Sequence, residues 1–316
     1  SLQAAAGGII AILIGSLPAG FGFLAPMGLN EGPGQALSIG RLWESDYGFA
    51  DAASIGATIA SVGFVIAYLG GLIAVRGRGR KVGVAGGFYR FNRGVAVTGG
   101  LIVMGYVVVY QVVLRGLGAV APDLVDLVLG VLFFVTLLVG MAARRVLGWI
   151  GVSIDADDTR QVTLLSVDGL TVAILGSLTW AAVSGVIGPL VAVIIGAVAA
   201  TALVLSVAGR WLDAWRMERS LALFGTVTGT VASGLALVAL TDPDLESPVA
   251  AELGAMVVVS APVVVGGIAL ATAAASGSVS EVVATAVFGA VGIVSLGVLG
   301  LVMRRVEDSP TAVPEE

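Results

Sequence analysis

Long apolar runs separated by short polar segments follow one another along this chain from its first residues onward. About 20 predominantly apolar residues are needed for a helix to cross a hydrocarbon layer roughly 30 Å thick. Runs of that order predict eight membrane-spanning segments, which are Leu2–Gly15, Ala52–Val75, Gly94–Leu114, Pro122–Ala143, Leu164–Ile187, Gly188–Val207, Val249–Thr272 and Val279–Met303. The predicted fold class is therefore all-α, a polytopic membrane protein.

Two other apolar stretches lack the pattern of a continuous span. Ser16–Ile39 contains three prolines and several glycines, and Leu221–Leu240 alternates Gly with Thr. A proline inside a helix removes a backbone donor and clashes with the preceding turn. Broken backbone at membrane depth persists only where protein or a water-filled cavity satisfies its polar groups. We therefore predict that both stretches are re-entrant hairpins.

The distribution of basic residues tests this topology. If each hairpin returns to the side from which it entered, only Arg41 and Arg115 are left outside. The basic clusters then all fall on one face, which the positive-inside rule makes cytoplasmic. These clusters contain Arg76, Arg78, Arg80, Lys81, Arg90 and Arg93; Arg144, Arg145 and Arg160; Arg210, Arg216 and Arg219; and Arg304 and Arg305.

This order of spans and hairpins predicts an inverted-repeat secondary transporter with two re-entrant hairpins. Residues 1–120 form an N-terminal repeat that lacks about two spans, residues 121–306 form the inverted C-terminal repeat, and residues 307–316 form a disordered tail. Inverted repeats place substrate and ion sites where broken helices meet near the bilayer midplane. We expect the site at the two hairpin tips.

Composition narrows the class of protein. Hydrophobic residues make up 58% of the chain and charged residues 12%, with a mean hydropathy of +1.05. Cysteine and histidine are absent, which excludes thiolate sites and the commonest general base. We therefore expect no enzyme activity, no organic cofactor, no metal beyond Na⁺ and no nucleic-acid partner. The lipid bilayer is the expected partner, and the cell (plasma) membrane is the expected location of this multi-pass protein.

The first hairpin tip carries the sequence Asn30 to Gln35. Because Pro33 suits the first turn of a helix, free N–H groups around Gly32, Gly34 and Gln35 would point toward the tip and favour an anion. Side-chain oxygens of Asn30, Glu31 and Gln35 are candidate ligands for Na⁺ or for a substrate ammonium group. The alternative is that Asn30 and Glu31 only cap the helix and the glycines only allow close packing.

The second hairpin places hydroxyl groups beside bare backbone, an arrangement suited to a ligand that takes several hydrogen bonds. The candidate substrate-binding residues are Gly225, Thr226, Thr228, Gly229, Thr230 and Ser233. Small residues at this spacing also serve ordinary helix packing. Asp168 is a third candidate ion ligand because intramembrane acids mark functional sites, although it lies close to the start of its span.

Two segments resemble the sodium/glutamate symporter family. GTVTGTVASGLALVALTDPDLESP (225–248) is similar to the family's second pore loop, and GLNEGPGQALSIGRLWESDYGF (28–49) is similar in position and length to its first. The resemblance covers most of the chain from about Ser16 to Thr272. It implies an elevator-like homodimer of two inverted halves, each with five spans and one re-entrant loop, that moves L-glutamate with Na⁺. At Glu31 to Ala36 this chain lacks the glycine-rich, His-containing run of the family, which weakens the inference of substrate more than that of family.

The leading hypothesis is sodium-coupled transport of an anionic amino acid, with L-glutamate as the substrate. A carrier of another carboxylate or amino acid, coupled to Na⁺ or H⁺, is the alternative on the same scaffold. An intramembrane hydrolase lacks a His for a Ser–His pair. A non-transporting scaffold has no need for broken helices at midplane depth.

Overall fold

The computed structural model describes residues 1–77, 93–121, 132–149, 183–212, 214–242 and 246–307, with isolated positions between 125 and 172. The described helices, in chain order, are α1 Leu2–Ile14, α2 Leu24–Leu29, α3 Pro33–Tyr47, α4 Ala52–Gly77, α5 Arg93–Val112, α6 Leu132–Trp149, α7 Ile187–Ala208, α8 Arg216–Thr228, α9 Val231–Val238, α10 Val249–Ala275 and α11 Glu281–Glu307. A 3₁₀ turn, Phe21–Phe23, precedes α2, and a π turn, Val113–Leu117, extends α5 to Val120.

Five of these helices are long and apolar enough to cross a membrane, so the chain is a multi-pass helical membrane protein. They are Ala52–Gly77, Gly94–Val120, Ile187–Ala208, Val249–Ala275 and Glu281–Val302, close to five of the predicted spans. The predicted span at Leu2–Gly15 forms a helix of only 13 residues, shorter than a bilayer crossing requires. The predicted span Pro122–Ala143 is described mainly from Leu132 onward, where α6 continues past the predicted end to Trp149. Most of Leu164–Ile187 and residues 308–316 lie outside the described residues.

The first broken segment is a helical hairpin. The chain turns at Asn30–Gly32, and α3 starts at Pro33, its first helical residue, as predicted. Both arms lie on α4, where Gly28 packs against Ile59 and Gly40 against Ala53. Helix α3 continues past the predicted end at Ile39 to Tyr47. The polar segment after Ile39 stays helical because Leu42 and Trp43 on its inner side are buried in the core.

The second broken segment also folds back on itself. Helix α8 begins at Arg216, before the predicted start at Leu221, and α9 returns after a break at Gly229 and Thr230. Gly225 and Gly234, one on each arm, lie in backbone contact. The guanidinium of Arg219 donates two hydrogen bonds, 2.9 and 2.6 Å long, to the carboxylate of Glu252. The start of α8 is thereby held beside the start of α10.

The two hairpins begin and end at opposite ends of the helix bundle. At one end, here called the Trp43 end, Gly20 lies against Trp43 and Ala275, and its N–H donates to Glu281 Oε1 at 2.7 Å. At the other, the Arg219 end, Val75 packs with Leu221 and Leu237. Helix α4 runs from the first end to the second, α10 runs back, and α11 returns to place Gly300 against Trp211. The first hairpin therefore opens to the Trp43 end and the second to the Arg219 end.

Charged side chains divide between the same two ends. The exposed residues Arg76, Arg210 and Arg216 lie at the Arg219 end, where α11 also carries Arg304 and Arg305. Acidic residues lie at both ends, Glu218 and Glu252 at the Arg219 end and Glu44, Asp46, Asp51 and Glu281 at the Trp43 end. The asymmetry is one of arginine, because the first hairpin contributes a single described arginine, Arg41, to the Trp43 end. This asymmetry is the one that the positive-inside rule associates with a cytoplasmic Arg219 end.

Trp43 anchors the hydrophobic core beneath the first hairpin. Its side chain is fully buried, its ring stacks on Phe49 at a centroid distance of 6.1 Å, and its Nε1 donates to Thr272 Oγ1 at 3.3 Å. Phe21 also stacks on Phe49, at a centroid distance of 6.1 Å. One aromatic side chain thus ties the hairpin to α10.

Replacing Trp43 by Ala should lower the free energy of unfolding by about 3–5 kcal/mol, because truncating a buried Trp leaves a cavity and ends these contacts. Thermal unfolding in detergent measures the change. Trp149→Ala is the matched control, since that side chain is 77% exposed. Equal melting shifts in the two variants would contradict the central place of Trp43 in the core.

Candidate functional site

The breaks of the two hairpins meet beside the middle of α4. Gly32, the N-cap of α3, has φ 83° and ψ −177°, a conformation that only glycine adopts readily. A Cβ atom built on Gly32 would lie 2.6 Å from Cγ2 of Thr230, so the breaks are in van der Waals contact. Gly63 of α4 approaches so closely that a Cβ there would lie 2.5 Å from the carbonyl oxygen of Thr228. We call this place, formed by residues 30–32 and 228–230 beside Gly63, the junction.

Two helix N-termini face each other at the junction. Gly32 caps α3 and Thr230 caps α9, with Thr230 Oγ1 accepting from the N–H of Ser233 at 3.4 Å. The N–H groups of Gly34 and Gln35 lie in the first turn of α3, where helix geometry provides no intrahelical acceptor. Each helix N-terminus is equivalent to roughly half a positive charge. Their meeting gives the junction a positive potential that favours an anion.

The hydroxyl groups of the second hairpin largely hold the hairpin itself. Thr228 Oγ1 donates to the carbonyl of Phe224 at 2.6 Å, and the hydroxyls of Thr230 and Ser233 lie 3.5 Å apart. Thr226 faces Gly234 inside the hairpin, and its buried hydroxyl finds no hydrogen-bond partner in the part of the chain that the structure describes. Gly225 and Gly229 permit the close approach of α9. The capping and packing roles are thus visible, and a role of these residues as substrate ligands stays a prediction.

Asn30 and Glu31 lie at the polar end of a cavity of about 80 Å³. Asn30 Nδ2 donates to Glu31 Oε1, which leaves the second carboxylate oxygen and the amide oxygen available. Ser1 also lines the cavity. The remaining walls are apolar and come from α1, the first hairpin, α10 and α11: Ala4, Phe23, Pro26, Met27, Val263, Val264, Gly267, Ile268, Ala271 and Phe288. The cavity therefore combines a hard oxygen site with a hydrophobic compartment.

Gln35 lies one turn from the break and is 6% exposed. Its side-chain Nε2 is buried and has no hydrogen-bond partner among the described residues. A buried amide left unpaired costs about 1–3 kcal/mol. The predicted site residue thus has an unused donor close to the junction. Asp168, the third predicted ion ligand, lies outside the described residues.

Two buried polar residues that the sequence did not single out also reach this region. Gln3 Nε2 donates to Thr201 Oγ1 at 2.7 Å and to the carbonyl oxygen of Val227 at 2.8 Å. That carbonyl belongs to the last turn of α8, where helix geometry leaves acceptors unpaired. Gln3 therefore joins α1, α7 and the second hairpin. Its position within an apolar run is the signal that marks it in the sequence, because polar residues at membrane depth are costly.

Comparison of this chain with protein-family models, with curated proteins and with solved structures gives no match.

Proposed function

We propose that this chain is a secondary transporter that moves a small anionic amino acid, with L-glutamate as the substrate, in symport with Na⁺ across the cell membrane. The observation that carries the proposal is the junction. There, two helical hairpins that open to opposite ends of the bundle meet through their helix N-termini beside the middle of a candidate span. Substrate sites built from broken helices near the midplane are characteristic of secondary transporters.

The geometry of the hairpins supports re-entrance. Gly20 and Trp43, from the two arms of the first hairpin, lie together at the Trp43 end. The pair Arg219–Glu252 places the start of the second hairpin beside the helix that follows it. Neither hairpin crosses to the other end, and their opposite directions fit two inverted halves. The homodimer implied by the family resemblance belongs to the same proposal.

Electrostatics favours a bound cation together with the anionic substrate. Among the described residues whose contacts fix their place in the bundle, the arginines Arg41, Arg76, Arg210, Arg216 and Arg219 lie toward the two ends rather than at the junction. The helix N-termini supply part of the positive charge that a carboxylate requires. Na⁺ bound by the oxygens of Glu31 and Asn30 would supply the rest and would pair the Glu31 carboxylate, which is costly to leave unpaired at this depth.

A carrier of a different carboxylate or amino acid, coupled to Na⁺ or H⁺, is the second candidate. The apolar walls of the cavity beside Glu31 favour it, because Phe23, Met27 and Ile268 offer no partner to a second carboxylate. An amino acid with an apolar side chain would bury that side chain there. Competition of unlabelled amino acids for labelled glutamate uptake in proteoliposomes separates the two candidates.

The contact between the hairpin tips predicts a specific coupling between two residues. Gly32→Ala should lower stability by about 1–3 kcal/mol and slow uptake, because the new methyl group meets Thr230 and the backbone conformation disfavours a side chain. Thr230→Ser keeps the capping hydroxyl and removes the contacting methyl group. In the double variant, the second change should restore about 0.5 kcal/mol or more of the loss. Thermal unfolding in detergent and proteoliposome uptake measure both effects.

Gly254→Ala is the matched control, since a Cβ at Gly254 meets nothing among the described residues within 4 Å and the residue lies in α10 away from the junction. It should leave stability and uptake near the wild-type values. Strictly additive effects of Gly32→Ala and Thr230→Ser would show that the two tips are not in contact.

The proposed ion site predicts that substrate and Na⁺ stabilise each other. At constant ionic strength, substrate affinity should rise by roughly 5-fold to 150-fold between sodium-free and sodium-saturated buffer, the usual range of coupling between two sites. Glu31→Gln should flatten this dependence, because the neutral amide no longer balances the charge of Na⁺. Equilibrium binding of labelled glutamate, with choline replacing Na⁺, is the measurement.

Asp46→Asn is the control for the loss of one carboxylate, since Asp46 is exposed at the Trp43 end. Its Na⁺ dependence should match that of the wild type. A wild-type Na⁺ dependence in Glu31→Gln would remove Glu31 from the coupling. Binding unaffected by Na⁺ in every variant would remove sodium coupling itself.

A further inference from the structure

Helix α3 exposes a continuous polar face. Gly34, Ser38, Arg41 and Ser45 are all exposed, and their spacing of four, three and four residues places them on one side of the helix. The opposite side, which carries Ala36, Ile39 and Trp43, is fully buried. We call Gly34, Ser38, Arg41 and Ser45 the polar face of α3.

Other helices of the bundle expose a different chemistry. The exposed side chains of α4 include Val65, Leu69 and Ile73, those of α10 include Val259, and those of α11 include Ile293. Aliphatic side chains suit hydrocarbon, whereas a guanidinium and two hydroxyl groups facing lipid would lose their hydrogen bonds with water. The polar face of α3 therefore does not contact lipid tails.

The polar face joins the junction to one end of the bundle. Gly34 lies two residues from Gly32 at the junction, and Ser45 lies near Trp43 at the Trp43 end. At a rise of about 1.5 Å per residue, the segment from Gly34 to Ser45 extends over roughly 17 Å. This is the distance that a solute would travel from that end to the two helix N-termini.

Arg41 supplies the positive charge of this face. Among the described residues, no acidic side chain lies within ion-pair distance of Arg41. Glu44 accepts a hydrogen bond from the N–H of Ala53 at 3.0 Å, and Asp46 accepts one from Ser45 Oγ at 2.7 Å. The nearby carboxylates are thus engaged at the start of α4 and at the outer end of α3, while the guanidinium stands exposed between Ser38 and Ser45.

We propose that the polar face of α3 lines a water-filled approach open at the Trp43 end, through which an anion reaches the junction, and that Arg41 concentrates anions within it. The nature of the anion rests on the proposed function, whereas the water-filled approach and its charge do not. Through its positive charge, Arg41 makes the approach selective for anions over cations. If lipid or a partner protein covers the polar face of α3, the test will find this face unreactive and the proposal is wrong.

The test uses the full chain, which contains no native cysteine. Ser38→Cys in right-side-out vesicles should react with impermeant methanethiosulfonates. The anionic sulfonatoethyl reagent should react faster, relative to the cationic trimethylammonium reagent, than it does with a free thiol. Side chains three residues apart on a helix are neighbours, and one unit charge about 7 Å away in water shifts the local concentration of each ion by roughly two- to threefold. Without screening, the ratio of the two rates, each divided by its rate with a free thiol, would favour the anion by roughly fourfold to ninefold. Salt at about 0.1 M reduces the expected preference to roughly twofold to fivefold. The preference should shrink at high salt and disappear when Arg41→Gln is added.

Val287→Cys is the matched control, because Val287 is 41% exposed and lies in the second turn of α11, near the same end of the bundle. It should stay unreactive with both reagents. An unreactive Ser38→Cys, or an anion preference that persists after Arg41→Gln, would overturn the proposal. The two proposals can fail independently. If Ser38→Cys reacts with an anion preference but no sodium-driven glutamate uptake is found, only the transport proposal is wrong. If uptake is found but Ser38→Cys is unreactive, only the proposed approach is wrong.

Discussion

Every backbone N–H and C=O group at membrane depth needs a partner inside the protein, and this constraint governs the rest of the structure. The chain breaks its helices at Asn30–Gly32 and at Gly229–Thr230, next to the middle of α4. Each break creates donors and acceptors that hydrocarbon cannot satisfy. The two breaks meet each other, and the side-chain amide of Gln3 donates to the carbonyl of Val227 in the last turn before the second break. The polar groups that the breaks release are thereby gathered in one place.

The same constraint explains why the two hairpins open in opposite directions. Two hairpins from one end would lie side by side, with their arms competing for the same surface of α4. Entering from opposite ends, the first hairpin packs along residues 53 to 60 of α4 and the second along residues 63 to 75. One long helix therefore serves as the common support of both. The arginines at the Arg219 end are the feature that the positive-inside rule associates with a cytoplasmic face.

Local chemistry made some of these features predictable from the sequence. Pro33 and Gly32 specify the start of α3, because proline suits the first helical position and glycine tolerates the positive φ before it. The alternation of Gly and Thr before Ser233 marked the second break. The extension of α3 to Tyr47 was not predicted, since its polar sequence stays helical only because Leu42 and Trp43 find a buried surface. The contact of Gln3 with Thr201 joins residues far apart in the chain, and no local pattern specifies such a partner.

The composition of the junction bears on how substrate and ion would depend on each other. Two helix N-termini favour an anion, while the Glu31 carboxylate nearby opposes one and favours a cation. An anion alone would meet Glu31 as a like charge, and a cation alone would meet the positive ends of α3 and α9. Bound together, each neutralises the group that opposes the other, so the pair has a lower free energy than the sum of its members. That difference is a coupling free energy, and linkage requires it to act equally in both directions. A site with this charge pattern is therefore suited to symport, because the binding of either solute would raise the affinity for the other by the same factor.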